Sequence, residues 1–307
     1  MTTPFILDCD PGHDDAIALL LALGSPELEL VGVTTVAGNQ TLEKTTANAI
    51  RVLDHLGRAN IPVAAGSPRP LVRPAYIADY VHGVTGLDGP DLPAAAREPA
   101  AEHAIDFIAA RLAERPLTLV PTGPLTNIAL LLARYPELQD RIVRVILMGG
   151  AIAEGNVTPA AEFNIWADPE AAERVFQSGL DVTMVGLDVT HKALLTQQHV
   201  DRLAAAGKAG RLVSDLYGFY VQFHRSQYGW DGTPVHDAVA VAHAIDATIL
   251  ETKDRGVIVD TGPELSRGRT YVDLWGRAGW KPNCHVAADI DSERFLELLV
   301  ERIASLG

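Results

Sequence analysis

Short apolar runs alternate with stretches of helical period through the first two-thirds of the chain. Phe5 to Leu7 form a run too short to show a period and predict a buried strand, and Ala16 to Leu23 predict an apolar helix. The pattern continues with "LELVGVTTVAG", a helix from about Leu42 to Leu56, and "IPVAAG". A polar, glycine-bearing gap follows. Beyond it come a helix near Ala101 to Arg115, the strand "LTLVP", a helix from Leu125 to Arg134, the strand "RVILMGG", the helix "DPEAAERVFQSG" and "DVTMVGLDVT". Such alternation predicts an α/β fold, a mainly parallel central sheet flanked by helices. The last third is more helical, with runs from about Arg211 to Gln227 and from Val235, then short strands such as "GVIVD" and a helix from Ser292 to Ala304. No internal repeat, low-complexity tract or Pro/Ser-rich linker divides the sequence, so residues 1–307 read as a single domain.

Folds of this kind carry their sites at the C-terminal ends of the strands. The polar residues obey that rule: Asp10 follows the first strand, Asn39 the second, Thr122 to Asn127 follow "LTLVP", and Asn156 to Asn164 follow "RVILMGG". Asp8, Asp10, Asp14 and Asp15 crowd a single strand-to-helix turn. One or two acids at a helix start gain from the dipole, but four repel one another unless a cation sits among them. Hard carboxylate oxygens suit Ca²⁺ or Mg²⁺. The turn is no EF-hand, because a loop starting at Asp8 finds His13 and Leu19 where Gly and Glu belong.

Composition narrows the partners. With 48% hydrophobic and 21% charged residues the chain reads as a soluble globular protein with a substantial core. A net charge of −14 argues against long nucleic acids and leaves a small ligand. No apolar run reaches membrane-spanning length and the first residues do not form a signal peptide, so no membrane is expected. Cys9 and Cys284 make no disulfide framework, which fits a reduced, cytoplasmic protein; Cys9, between two aspartates, reads as a buried structural thiol.

The remaining motifs each have a plain reading and a chemical one. "PTGPLTNIALLL" starts like a helix, with Pro124 near its first turn and Thr126 or Asn127 available for capping, or for turning a carbonyl toward a metal. Glu162 and Asn164 alternate in a long polar loop with Asn156, so an extended segment points both the same way, toward hydroxyl groups such as those of a sugar. Asp168 and Pro169 read as an ordinary helix start. His236 and Asp237 stand at another, with His243 two turns on as a satisfied histidine. Tyr220, His224 and Tyr228 share one helix face, able to stack and to hydrogen-bond a heteroaromatic ring. His13, His55, His103, His191, His199 and His285 show no ligand spacing and read as background.

Taken together, "DCDPGHDDAIAL", "VAGNQ", "HGVTGLDG", "TGPLTN", "EFNIWADPEAA" and "PVHDAVAV" resemble the inosine-uridine nucleoside hydrolase family over nearly the whole chain. The resemblance implies a tightly bound Ca²⁺, hydrolysis of ribonucleosides to ribose and free base, and a homodimer or homotetramer. It implies Asp10, Asp15 and Asp237 as calcium ligands with the carbonyl of Thr126, and Asp14, Asn39, Asn156, Glu162 and Asn164 around the ribose. His82 and His236 match histidines near the base, with Met148 and Phe163 packed on the sugar or ring. Asp10 is then placed to take a proton from water and His236 to protonate the departing base.

Further expectations go with this reading. The segment from about Tyr76 to Leu92, with three glycines, is expected to be a mobile lid bringing His82 over the base. Uridine and inosine are expected to be cleaved, with cytidine a further candidate, and Tyr220, His224 and Tyr228 to relay a proton near His236. Two rival functions stand beside it: a haloacid-dehalogenase-type phosphatase using Asp8 and Asp10, and a catalytically silent nucleoside- or calcium-binding protein.

Overall fold

The computed structural model describes residues 2–262 and 265–307. Twelve strands are formed among them: β1 (Thr3–Cys9), β2 (Leu28–Thr35), β3 (Val63–Ala65), β4 (Leu117–Pro121), β5 (Ile142–Met148), β6 (Val182–Val185), β7 (Leu194–Thr196), β8 (Gly232–Pro234), β9 (Leu250–Arg255), β10 (Val257–Val259), β11 (Thr270–Val272) and β12 (Cys284–Ile290). Eight of them make one sheet in the order β3-β2-β1-β4-β5-β6-β12-β9. Every neighbouring pair is parallel except β12 and β9. The pairs β7–β8 and β10–β11 form small antiparallel ribbons outside it.

Strand order reverses between β1 and β4, because the chain winds from β1 outward to β3 and then returns to β4 on the other side. Ligands of open parallel sheets bind at such a switch point. Asp10 and Thr122, each directly beyond its strand, flank it, and the Thr122 N–H closes the gap by donating to the Asp8 carbonyl.

The helix His13–Leu23 is buried from His13 through Ala22, and the helix His236–Ile245 from His236 through Ala244. Their sequences explain this, since Ala, Ile, Leu and Val surround both axes and leave no polar face to solvent. The two helices pack against each other. Each places its acids in the first turn, Asp14 and Asp15 in one and Asp237 in the other. Two positive helix ends therefore meet at one point beneath the sheet edge.

Among the described residues no helix is long and apolar enough to cross a membrane.

Candidate active site

At the carboxyl edge of the sheet a cavity is lined by Asp14, Asn39, His82, Met148, Asn156, Glu162, Phe163, Asn164, Tyr220, His224, Tyr228, His236 and Asp237. Sequence positions from 14 to 237 thus converge on one space. Asp10, Asp15 and Thr126 lie beneath it, fully buried.

Carboxylate oxygens of Asp14, Asp15 and Asp237 lie within 4.8 Å of one another, close enough to share a metal ion. Asp14 joins Asp15 and Asp237 in this grouping, and Asp10 lies close enough to feel the charges of Asp14 and Asp15. Asp10 Oδ2 accepts from the main-chain N–H of Asn39 at 2.6 Å, while buried Oδ1 has no partner. Gly38 and Gly123 press against this carboxylate, and a Cβ on Gly38 would fall 2.1 Å from Oδ2. Burial, reinforced by the neighbouring acids, pushes Asp10, Asp14 and Asp237 well above the usual carboxylate range. An unpartnered buried oxygen beside three clustered carboxylates fits a hard divalent cation.

Asp8 does not belong to this group. Its Oδ1 accepts from Thr34 Oγ1 at 2.6 Å and Asn127 Nδ2 at 2.8 Å, inside the sheet and away from the cavity. With one oxygen held by two side chains, Asp8 is poorly placed to act as a phosphatase nucleophile. Cys9 is buried as expected, its thiol raised well above its normal pKa first by burial and then by the surrounding aspartates. The helix Thr126–Arg134 has no side-chain cap: Thr126 donates to Asp168 at 2.6 Å, Asn127 holds Asp8, and Pro124 precedes the first turn. Asp168 does cap its helix, accepting from Ala171 N at 3.1 Å.

Glu162 and Asn164 reach the cavity by a route the alternation argument did not foresee. Glu162 is not in an extended strand but caps the short helix Phe163–Ala167. Its carboxylate accepts three main-chain N–H groups, from Asn164 and Gly150 at 2.9 Å and from Ile165 at 3.2 Å. Burial nevertheless pushes it up to about 7. Asn164 Nδ2 donates to the carbonyls of Thr122 at 2.7 Å and Met148 at 3.2 Å, which leaves its amide oxygen free. Asn156 is the mirror case, its oxygen accepting from Phe163 N at 2.9 Å and its NH₂ left free.

The opposite wall is aromatic. Tyr220, His224 and Tyr228 share a face of the helix Lys208–Tyr228, as their spacing predicts. No relay runs along it, however: His224 Nδ1 is engaged with Thr233 Oγ1 at 2.9 Å and the Tyr220 carbonyl at 3.2 Å. His236 Nδ1 meets Thr190 Oγ1 at 2.7 Å, and burial holds the ring well below its usual pKa. His243 is buried too, but its Nδ1 has no partner, contrary to the satisfied histidine expected.

Sequence reasoning missed Tyr80, Phe223 and Trp230 and set His191 aside, all of which line the cavity. It also set aside His13, whose ring meets that of His82. Trp230 stacks on Tyr228 at 4.5 Å, a signal that the short "YGW" stretch holds in hindsight.

A parallel α/β sheet with acids gathered at its switch point, below a cleft walled by amides and aromatic rings, defines an α/β enzyme with an acid-rich polar cleft. Comparison with known proteins makes the class specific. Residues 5–297 match the model of the inosine-uridine preferring nucleoside hydrolases. The chain is 50% identical to the pyrimidine-specific ribonucleoside hydrolase RihA of Enterobacter sp. (strain 638), covering 100% of this chain and 99% of that one. It is 49% identical to the protein of the same name from Salmonella typhimurium over 99% of both chains. Among solved structures, the purine-preferring ribonucleoside hydrolase from Gardnerella vaginalis matches with a TM-score of 0.93 and 37% identity over 99% of each chain. A plant nucleoside hydrolase matches with a TM-score of 0.92 and 34% identity over the same share. The chain belongs to the inosine-uridine preferring nucleoside hydrolase family and is an enzyme acting on N-glycosyl bonds.

Proposed function

We propose that this enzyme hydrolyses pyrimidine ribonucleosides, uridine and cytidine, to ribose and free base, with Ca²⁺ held by Asp10, Asp14, Asp15, Asp237 and the Thr126 carbonyl. The observation that carries the reaction is the placement of an unpartnered Asp10 oxygen among clustered acids directly below the cavity. When bound, the cation supplies a positive charge that orients water and the ribose diol and lowers the cost of deprotonating that water. Asp10 accepts the proton of the attacking water. Asn39, Glu162, Asn164 and Asn156 hold the ribose, Asn164 through its free amide oxygen and Asn156 through its free NH₂. The sugar carbon gains positive charge as the base leaves, and the surrounding carboxylates stabilise it.

A pyrimidine leaves with charge delocalised from the ring nitrogen onto exocyclic carbonyl oxygen and does not need protonation at a purine-type nitrogen. His236, in the cavity wall with Nδ1 on Thr190, then assists by offering a hydrogen bond. The expectation that inosine is cleaved alongside uridine gives way to pyrimidine preference, on the names of the relatives about half identical to this chain.

Purified protein incubated with uridine, cytidine and inosine, with and without EGTA, tests the reading by release of reducing sugar. Uridine and cytidine are expected to be cleaved faster than inosine, and EGTA to abolish turnover until calcium is restored. Failure to release ribose from either pyrimidine nucleoside refutes it.

A further inference from the structure

The segment that covers the cavity brings His82 into its wall on a single helical turn, Asp79–His82. One turn fixes more backbone angles than its hydrogen bonds repay, so its place is decided by what holds the residues on either side. After the turn, the side chains of Gln40, Lys44 and Asn48 donate to the carbonyls of Gly83, Val84 and Thr85. Before it, the Ala78 N–H donates to the Gly38 carbonyl at 3.3 Å, and Ala78 is buried in one small cluster with Phe163 and Ala167.

Tyr76 supplies the rest of that leading end. Its ring meets the ring of Trp166 edge-on, at 5.0 Å and 87°, and that of Phe163 at 6.5 Å and 54°. Phe163 and Trp166 are neighbours one turn apart on the helix Phe163–Ala167, so a single ring reaches both. Glu162 caps that helix, and Phe163 and Asn164 are the residues it presents to the cavity. Trp166 is fixed independently of Tyr76. The Arg267 guanidinium lies over its ring at 4.9 Å and donates to its carbonyl at 3.1 Å. Gly268, at a φ of +79°, backs onto the same residue, and a Cβ there would fall 2.5 Å from the Trp166 Cα.

We infer that Tyr76 and Trp166 are positioning residues, whose edge-to-face contact fastens the leading end of the covering segment to the helix that carries Phe163 and Asn164. Neither of the two lines the cavity, so the contact acts on a bound molecule only through the turn that follows it and the place it gives His82. Its loss is therefore felt in binding more than in the chemical step. This consequence for substrate rests on the function proposed above, whereas the anchor itself does not.

Hydrogen exchange of the substrate-free protein reads the anchor. Tyr76→Ala and Trp166→Leu should each speed exchange at the amides of Ala78, Val81 and His82 about two- to tenfold, the worth of one aromatic pair, while residues 83–92 keep their rates. Tyr76→Phe retains the ring and should match wild type. Both substitutions remove the same contact, so the double variant should exchange no faster than Tyr76→Ala alone. KM for uridine should rise about two- to tenfold in both single variants, with kcat changed less. Unchanged exchange at residues 78–82 in Y76A, additive effects of the two substitutions, equal acceleration across residues 83–92, an unmoved KM, or a loss in kcat as large as the rise in KM overturns the inference. If W166L does not fold, Arg267→Met, which releases the Trp166 ring, takes its place in the comparison. Should exchange behave as stated while neither uridine nor cytidine is cleaved, the functional reading fails and the anchor stands.

Discussion

Single residues show which carboxylates belong to chemistry and which to the frame. Asp8 and Asp10 are two positions apart on one strand end and each keeps one oxygen without a partner, but the other oxygen of Asp8 is held by the side chains of Thr34 and Asn127 and that of Asp10 by the main-chain N–H of Asn39. Asp10→Asn should lower kcat by about 10²–10⁴-fold, the usual cost of losing a general base. The fold should persist, because the amide oxygen can still accept from Asn39 and one crowded negative charge is gone. Steady-state kinetics beside circular dichroism checks this, and near-normal turnover would sink the role. His243 gives a pH prediction away from the acids. Burial first, then Arg144 and His285, lower its pKa from 6.5 to about 4, against the opposing pull of Asp246 and the main chain at Ala247. The unfolded chain takes up a proton that the folded one refuses, so this contribution to stability is full above 6.5 and is lost as pH falls toward 4. Urea unfolding of His243→Gln should accordingly lose less stability than wild type between about pH 7.5 and about pH 5. Equal losses contradict it. At this scale the acids were legible because four like charges in one turn have no bland explanation. His13 was not, since its partners His82 and Asp88 are distant in sequence and a lone histidine has no period.

Elements bring a second set of constraints. The segment over the cavity contains a short helix, Asp79–His82, which places His82 in the wall, and a turn organised by the Asp88 carboxylate on Val84 N and Thr85 N. Gln40 and, on the helix Leu42–His55, Lys44, Asn48 and Arg51 donate to the carbonyls of Gly83, Val84, Thr85 and Leu92 in turn. Lys44, Asn48 and Arg51 are spaced about one helical turn apart, so a single face of the helix, extended by Gln40 just before it, acts as a rail for the covering segment. Asn48→Ala should loosen it, speeding hydrogen exchange over residues 83–92 and raising KM for uridine about two- to tenfold. Unaltered exchange there means the rail does not hold the segment. Apolar runs announced β1, β2, β4 and β5 because both faces of each are covered at the site end. "LETKDR" gave no such signal: β9 is an edge strand with much of its surface exposed, and an exposed edge has no need of an apolar period. Glu162 misled for a related reason, since its alternation with Asn164 fits a strand but its carboxylate instead captures the N–H groups of a helix start.

For the whole molecule, the converging ends of two buried helices make metal and fold interdependent. Their dipoles offset only part of the charge of Asp14, Asp15 and Asp237, and the chain is acidic throughout, at −14. A ligand present at about a hundred times its dissociation constant stabilises the folded state by about 2.7 kcal/mol. Thermal unfolding in EGTA followed by added calcium should therefore raise Tm by on the order of 5 °C. A melting curve indifferent to both additions contradicts the proposed ligand set. The α/β class was readable from alternation alone, but the order of the outer strands was not, because nothing in "CHVAADI" says which neighbours it will take. That strand, β12, lies between β6 and β9, parallel to one and antiparallel to the other. A chain growing from its N-terminus completes β6 and β9 first and must keep them from joining each other. Every proposed site side chain from Asp10 to Asp237 has left the ribosome while the flank of β6 is still an open edge, available to a neighbouring chain. Insertion of β12 is thus the step at which a nascent chain that already carries all its site residues closes the flank of β6 and leaves β3 and β9 as the edges of the sheet.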